Sequence, residues 1–204
     1  MLNVTSIRKV FDKVVNLTGR YQTKNCLSGS ILLSHPCLRD PNFAKTIVFL
    51  SAHSDDMGTV GVILNRPLGQ TLDQLDNQFK HGSFGKVPVF EGGPVEKDKL
   101  IVAAWEWLDA NKSFKLYFGI DLEKAESLRT DNTNINIACF LGHSGWSPGQ
   151  LESELDEKSW IVSALDHELF SKMDQKGETW RHLVGGMGDD LKLLADAPDD
   201  PLFN

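Results

Sequence analysis

Residues 135–154 read Ile-Asn-Ile-Ala-Cys-Phe-Leu-Gly-His-Ser-Gly-Trp-Ser-Pro-Gly-Gln-Leu-Glu-Ser-Glu. The first half has the period of a β-strand. Ile135, Ile137, Cys139 and Leu141 alternate with Asn136, Ala138 and Phe140, so one face is strongly apolar. Gly142 and Gly145 bracket His143 and Ser144, and two glycines this close predict a tight reversal. Ser147, Pro148 and Gln150 then fit the N-cap, first and third positions of a helix. The hydroxyl accepts from the backbone, Pro needs no donor there, and Gln150 reaches back. Glu152 and Glu154 fall in the first two turns of that helix, where carboxylates offset the helix dipole. The expectation is a buried strand, a turn and a capped helix.

Working outward from this stretch, short β-rich runs dominate the N-terminal side. Gly29 to His35 is a strand stopped by Pro36. Thr46 to His53 and Thr59 to Asn65 flank an Asp/Gly segment and predict a hairpin. Thr71 with Gln74 caps a short helix. Val87 to Phe90, Lys99 to Trp107 and Phe114 to Phe118 read as further strands, and Asp121 caps a helix through about Leu128. After residue 154 come an extended Trp160–Val162, helical stretches near 166–172 and 178–184, and an irregular tail from 196. Strands gathered before residue 142, with helices inserted and appended, argue for an α+β fold. The first 20 residues stand apart. Ile7, Val10, Phe11, Val14 and Val15 lie on one face of an amphipathic helix. It is expected to dock on the body or on a second copy of the chain, making a homo-oligomer. A basic membrane-surface helix is the alternative reading.

Bulk composition narrows the class of function. The chain has 204 residues, 41% hydrophobic and 24% charged, enough for a substantial core. Its longest aliphatic runs fall far short of a bilayer span. Net charge is −7, and residues 1–25 carry +4 of it in the other direction, leaving −11 on the remainder. An acidic body repels phosphate, so direct DNA binding is disfavoured. Three cysteines, Cys26, Cys37 and Cys139, form no CxxC pair. This fits a reducing cytoplasm rather than a disulfide framework or a thiolate zinc site.

Several residues invite chemistry. Gly142-His143-Ser144-Gly145 has the context of a nucleophile elbow, but Gly-x-Ser-x-Gly requires glycine where Trp146 stands. A hydrolase or other enzyme using His53 or His143 as base, with Ser144 or a water as nucleophile, is the second reading. His35, His53 and His143 all fall at strand ends, yet no metal-binding spacing such as HExxH joins them. No metal or cofactor is expected. Arg66 is placed either to bind a carboxylate or phosphate, or to pair with Asp40 or Glu91 and pin two loops. Gly92-Gly93-Pro94 marks a turn whose amides approach a ligand closely or simply reverse the chain.

These pieces occur in a fixed order. Gly29-Ser-Ile-Leu-Leu33 and Pro36 come first, then Leu38-Arg-Asp-Pro-Asn-Phe43, His53, Gly58-Thr-Val-Gly61 and Asn65-Arg-Pro67. Gly92-Gly-Pro-Val95 and Gly142-His-Ser-Gly-Trp-Ser-Pro-Gly-Gln-Leu-Glu-Ser-Glu154 follow, with Trp160, Leu169-Phe170 and Trp180 completing the series. Over residues 27–204 the chain resembles the YqgE/AlgH family, also called DUF179 or UPF0301. The resemblance implies one α+β domain with a mixed, partly barrel-like sheet and flanking helices, preceded by the 1–20 extension. It implies no reaction, and its transcriptional-regulator label comes from a name alone. By that resemblance, many relatives carry Cys-x-His at the first hairpin strand, where this chain has Ser51-Ala52-His53. The expectation is a non-enzymatic regulatory or ligand-binding protein. Asp40, His53, Asn65, Arg66, Gly92, Gly93, Ser144 and Trp146 would line one loop-rich face toward a small-molecule or protein partner.

Overall fold

A computed structural model describes residues 27–108, 113–165, 169, 172–173 and 178–198. The N-terminal helix expected over 1–20 and most of the helical stretch expected over 166–172 lie outside these residues. The strands are β1 (Ser30–Ser34), β2 (Ile47–Ser54), β3 (Gly58–Ile63), β4 (Pro67–Thr71), β5 (Pro88–Glu91), β6 (Val95–Leu108), β7 (Ser113–Ile120), β8 (Asn136–Trp146) and β9 (Trp160–Ala164). The helices are α1 (Leu72–Leu75), α2 (Leu122–Asp131), α3 (Gln150–Asp156), α4 (Glu178–Gly185) and α5 (Asp189–Asp196). A 3₁₀ turn covers Asn77–Phe79.

All nine strands join one open mixed sheet, ordered β4-β5-β8-β3-β2-β1-β9, with β6 and β7 branching from β8. The α+β expectation therefore holds. The strand β8 is the junction. Over Cys139–Leu141 it pairs in parallel with β5, and over Asn136–Leu141 it pairs antiparallel with β6. Over Ser144–Trp146 it pairs antiparallel with β3. The exchange of neighbours happens at Gly92, whose N–H donates to Leu141 O at 2.7 Å while its carbonyl accepts from Ile63 N at 2.9 Å.

The reversal expected at Gly142–Gly145 does not occur, because β8 runs through those residues to Trp146. The glycines answer a different demand. Gly142 has φ +70°, and a Cβ built there would lie 2.6 Å from Gly93 O and 2.8 Å from Val95 O. A kink and a close backbone approach, rather than a turn, exclude a side chain. The actual reversal comes three residues on. Ser147 O accepts from Gln150 N at 3.0 Å, with Pro148 second and Gly149 third at φ +77°. That is the residue pattern of a type II turn. Gly149, not Ser147, is the N-cap of α3, although Gln150 does reach back to Ser147 N at 3.0 Å.

Strand alternation divides the apolar residues among three clusters. Ile31, Leu33, Ile47, Phe49, Val62, Phe90, Ile101, Ala103, Ala138 and Phe140 face a central core closed by Trp180 and Val184 of α4 and Ala195 of α5. The opposite side of the β5-β8-β6 region, with Val89, Leu100, Val102 and Cys139, packs on Leu72 of α1 and Ala125 of α2. The opposite side of β1-β2-β3, with Leu32, Val48, Leu50 and Ile63, packs on Trp146, Leu151 and Trp160. β8 is thus buried on both faces, not one. Local capping follows the sequence: Gln74 Oε1 accepts from Thr71 N at 2.9 Å, and Asp121 Oδ1 accepts from Lys124 N at 2.7 Å. Among the described residues no helix is long and apolar enough to cross a membrane.

Candidate functional site

The eight residues expected to line one face divide sharply once placed. Asn65 is buried and spent on the fold: its Oδ1 accepts from Ile47 N and its Nδ2 donates to Lys45 O, both at 2.8 Å. Arg66 donates to Pro41 O at 3.0 Å and lies 3.7 Å from Glu91 Oε2, so the loop-pinning reading of this guanidinium is the one the structure has. Asp40 holds its own turn, accepting from Asn42 N at 2.8 Å.

Gly92 and Gly93 do not open toward a ligand. A Cβ at Gly92 would stand 2.3 Å from Gly142 O, and one at Gly93 would stand 2.3 Å from His143 O. Both backbones lie flat against β8. Ser144 is fully buried and its hydroxyl donates to Gly92 O at 3.4 Å. It has no solvent access and, among the described residues, no histidine partner, so the hydrolase geometry of a base-activated serine is not present at this residue.

Trp146 is buried too. Its ring stacks with Phe43 at 6.0 Å and meets Trp160 edge-on at 5.8 Å. Its indole N–H donates to Glu154 Oε2 at 2.8 Å, and the Trp160 indole N–H donates to the same oxygen at 2.7 Å. Glu154 Oε1 accepts from Gln150 Nε2 at 2.9 Å. The Gly-Trp-Ser-Pro-Gly-Gln-Leu-Glu-Ser-Glu stretch is therefore a self-contained clamp that fixes α3 on the sheet.

Two histidines remain, and they do not converge. His143 Nδ1 lies 3.8 Å from Glu96 Oε2, too long for a hydrogen bond, and is a buried nitrogen without a partner. Burial holds its pKa below the usual histidine value, with Glu96 pulling the other way. His53 sits at the end of β2, beyond a bulge at Ser51 that sets Ala52 opposite Val60 and His53 opposite Thr59. Ser51 is buried and donates to Val60 O at 3.1 Å. The His53 Nδ1 is 2.8 Å from Thr59 Oγ1. Its Nε2 faces Glu152 Oε1 at 3.6 Å, and one ligand atom each from His53, Asp55 and Glu152 lies within 4.8 Å of the others. This grouping joins a strand end, a hairpin turn and a helix. Sequence reasoning missed Asp55 and assigned Glu152 only to the helix dipole.

A family model described as DUF179, AlgH-like, matches residues 31–192. The chain belongs to the AlgH-like family. Among its relatives, a UPF0301 protein of Cytophaga hutchinsonii is 34% identical over 185 residues, spanning 86% of this chain and 98% of its own length. A UPF0301 protein of Thermobifida fusca is 31% identical over 191 residues, spanning 87% and 96%. Two solved structures share the fold. The AlgH protein from Pseudomonas aeruginosa matches with a TM-score of 0.57 at 22% identity, covering 89% of this chain and 100% of its own. A protein from Corynebacterium diphtheriae matches with a TM-score of 0.62 at 19% identity, covering 88% and 95%. In this AlgH-like chain most of the motif glycines, tryptophans and polar caps serve the β8 junction and the α3 clamp, and the carboxylates of Asp55 and Glu152 beside His53 are left exposed.

Proposed function

We propose that this AlgH-like chain is a non-enzymatic binding protein whose recognition face is the β2–β3 turn together with the start of α3. One observation supports the reading above the rest. The polar motif residues Asn65, Arg66, Ser144 and Trp146 are committed to partners inside the fold, whereas the imidazole of His53 is directed toward the exposed carboxylates of Asp55 and Glu152. A rigid strand end supporting a polar turn is where folds commonly carry binding residues. Cys37 and Cys139 are both free thiols, which accords with a cytoplasmic location. Fractionation beside compartment markers checks that location.

The test is thermal melting of the full chain against a panel of metabolites, with and without chelator. A ligand at about 100 times its Kd stabilises by about 2.7 kcal/mol. For a chain of this length that is a rise in Tm of roughly 5–10 °C. At least one compound should give such a shift, lost in Glu152→Gln and retained in Lys80→Ala, an exposed position at the end of the 3₁₀ turn. No shift with any compound, or shifts indifferent to Glu152, would remove this face from consideration. Consumption of a panel compound would reinstate an enzyme.

A further inference from the structure

We infer that His53, Asp55 and Glu152 form a binding site for a first-row divalent metal ion. The inference rests on the reading of this face as the binding surface and names the class of ligand it takes. Three features carry it.

The first is the state of the histidine. The His53 side chain is 4% exposed, while that of Glu152 is 47% exposed. A nearly buried imidazole is held from behind, Nδ1 against Thr59 Oγ1 at 2.8 Å. Such an outer-shell contact steadies the ring plane of a ligating histidine, and the hydroxyl can accept from an Nδ1–H in the tautomer that leaves Nε2 free. The free nitrogen, Nε2, points at the carboxylates. At 3.6 Å its distance to Glu152 Oε1 exceeds hydrogen-bond length. It is close to the separation of about 3.3 Å between two donors around a tetrahedral ion with bonds of about 2.0 Å.

The second is charge. With a neutral imidazole the three side chains carry two negative charges. Among the described residues neither Asp55 nor Glu152 has a Lys or Arg within ion-pair distance. Glu154, two residues along, has both carboxylate oxygens engaged, by Trp146, Trp160 and Gln150. A divalent cation supplies the charge that Asp55 and Glu152 lack.

The third is support. Gly58 has φ +81°, and a Cβ there would lie 2.2 Å from Trp146 O. The hairpin turn is thus seated on the β8–α3 junction, which holds the backbones of Asp55 and Glu152 at a fixed distance. The donor atoms spread up to 4.8 Å, and an ion requires no more than about 4.2 Å between any two. Rotation of the two exposed carboxylate side chains closes that difference without moving the backbone.

One nitrogen and two carboxylate donors suit Zn²⁺, Mn²⁺ or Fe²⁺ better than Mg²⁺ or Ca²⁺, which prefer oxygen alone. Three protein donors, two of them on exposed side chains, leave the outer coordination positions to water or to a further ligand.

The experiment uses the metal-stripped full chain carrying Cys26→Ser and Cys37→Ser, so that thiols do not compete. Zn²⁺ is titrated against a chromophoric chelator. About one equivalent should bind, with affinity at least tenfold weaker in His53→Ala and Glu152→Gln. Thr59→Val should weaken it by about 10–100-fold, as loss of outer-shell support does, and Lys80→Ala should leave it unchanged. Mn²⁺ should broaden the backbone resonances of residues 53–59 and 152 and spare those of β7. Absence of stoichiometric binding, or equal affinity in Glu152→Gln, would overturn the inference. Glu152 is an exposed helix position, so its variant folds even where His53→Ala does not. If Zn²⁺ fails to bind while a panel metabolite still depends on Glu152, the metal is wrong and the recognition face stands.

Discussion

Glu154 accepts hydrogen bonds from two tryptophans of different strands and from a glutamine of its own helix. Trp146 and Trp160 are 5% and 4% exposed, so neither indole N–H has water as a substitute partner. Removing the acceptor leaves two buried donors unsatisfied, at about 1–3 kcal/mol each. Glu154→Ala should therefore lower the Tm by roughly 5–15 °C. Glu154→Gln, which keeps an acceptor oxygen without its charge, should cost less. Urea unfolding followed by tryptophan fluorescence measures both, and an alanine variant as stable as the parent would refute the clamp. His143 makes a prediction of a different kind. Burial depresses its pKa in the folded state below the value of 6.5 it has when unfolded. The unfolded chain then binds more protons in the interval between the two values. Stability must fall as pH drops from 6.5 toward the folded pKa and is fully present above 6.5. Urea midpoints at pH 7.5, 6.5 and 5.5 should decline in the parent and decline less steeply in His143→Gln. Parallel pH profiles would show that this imidazole contributes nothing to the slope.

At the scale of elements, the exchange of neighbours along β8 explains why a glycine packed against it and its own serine have opposite tolerance. At Gly93, φ is +149° and the nearest backbone atom to a Cβ would be 2.3 Å away, so something in the main chain has to move. Gly93→Ala should cost about 3 kcal/mol or more, or yield no folded protein. Gly69→Ala, also at positive φ but with nothing within 4 Å, should cost about 1–2 kcal/mol. Ser144→Ala removes a long 3.4 Å hydrogen bond, yet Gly92 O keeps Ile63 N as its donor. Its cost should stay near 1 kcal/mol. A Ser144→Ala loss comparable to that of Gly93→Ala, read from urea midpoints, would refute this account of the junction. The same junction marks the limit of what the sequence shows. Period-two runs and caps disclosed eight of the strands and the helices at Thr71, Asp121 and Gln150, because those signals are local. The short edge strand Pro67–Thr71, with no strong apolar alternation, carried no such signal, and α5, which packs Leu191 and Ala195 on the core while Leu193 is 73% exposed, went unrecognised. A glycine that permits a turn and a glycine that permits backbone contact look alike in one dimension. Asp55 and Glu152 escaped notice beside His53 for the same reason: their separation of 97 residues is closed by the pairing of β3 with the end of β8, which leads into α3.

For the molecule as a whole, three apolar clusters share one sheet, and β8 borders all of them. Phe140 faces the central core, Cys139 the cluster under α1 and α2, and Trp146 the cluster under α3. Such a strand cannot be exposed without dismantling every layer, so its opening should be the global unfolding event. Cys139 supplies the probe. It is fully buried, and burial pushes its thiol pKa up to about 12, so the folded protein presents no thiolate there. Cys37 by contrast is exposed. In a Cys26→Ser, Cys37→Ser chain, a thiol reagent should label Cys139 only as the fold opens. When reclosing outpaces labelling, the rate reports the equilibrium population of the open form. It should rise with urea at the slope of the equilibrium unfolding curve. Rapid labelling in native buffer with little dependence on urea would mean that β5 and α2 part from β8 on their own, leaving the central core and the α3 clamp as a separate cooperative unit.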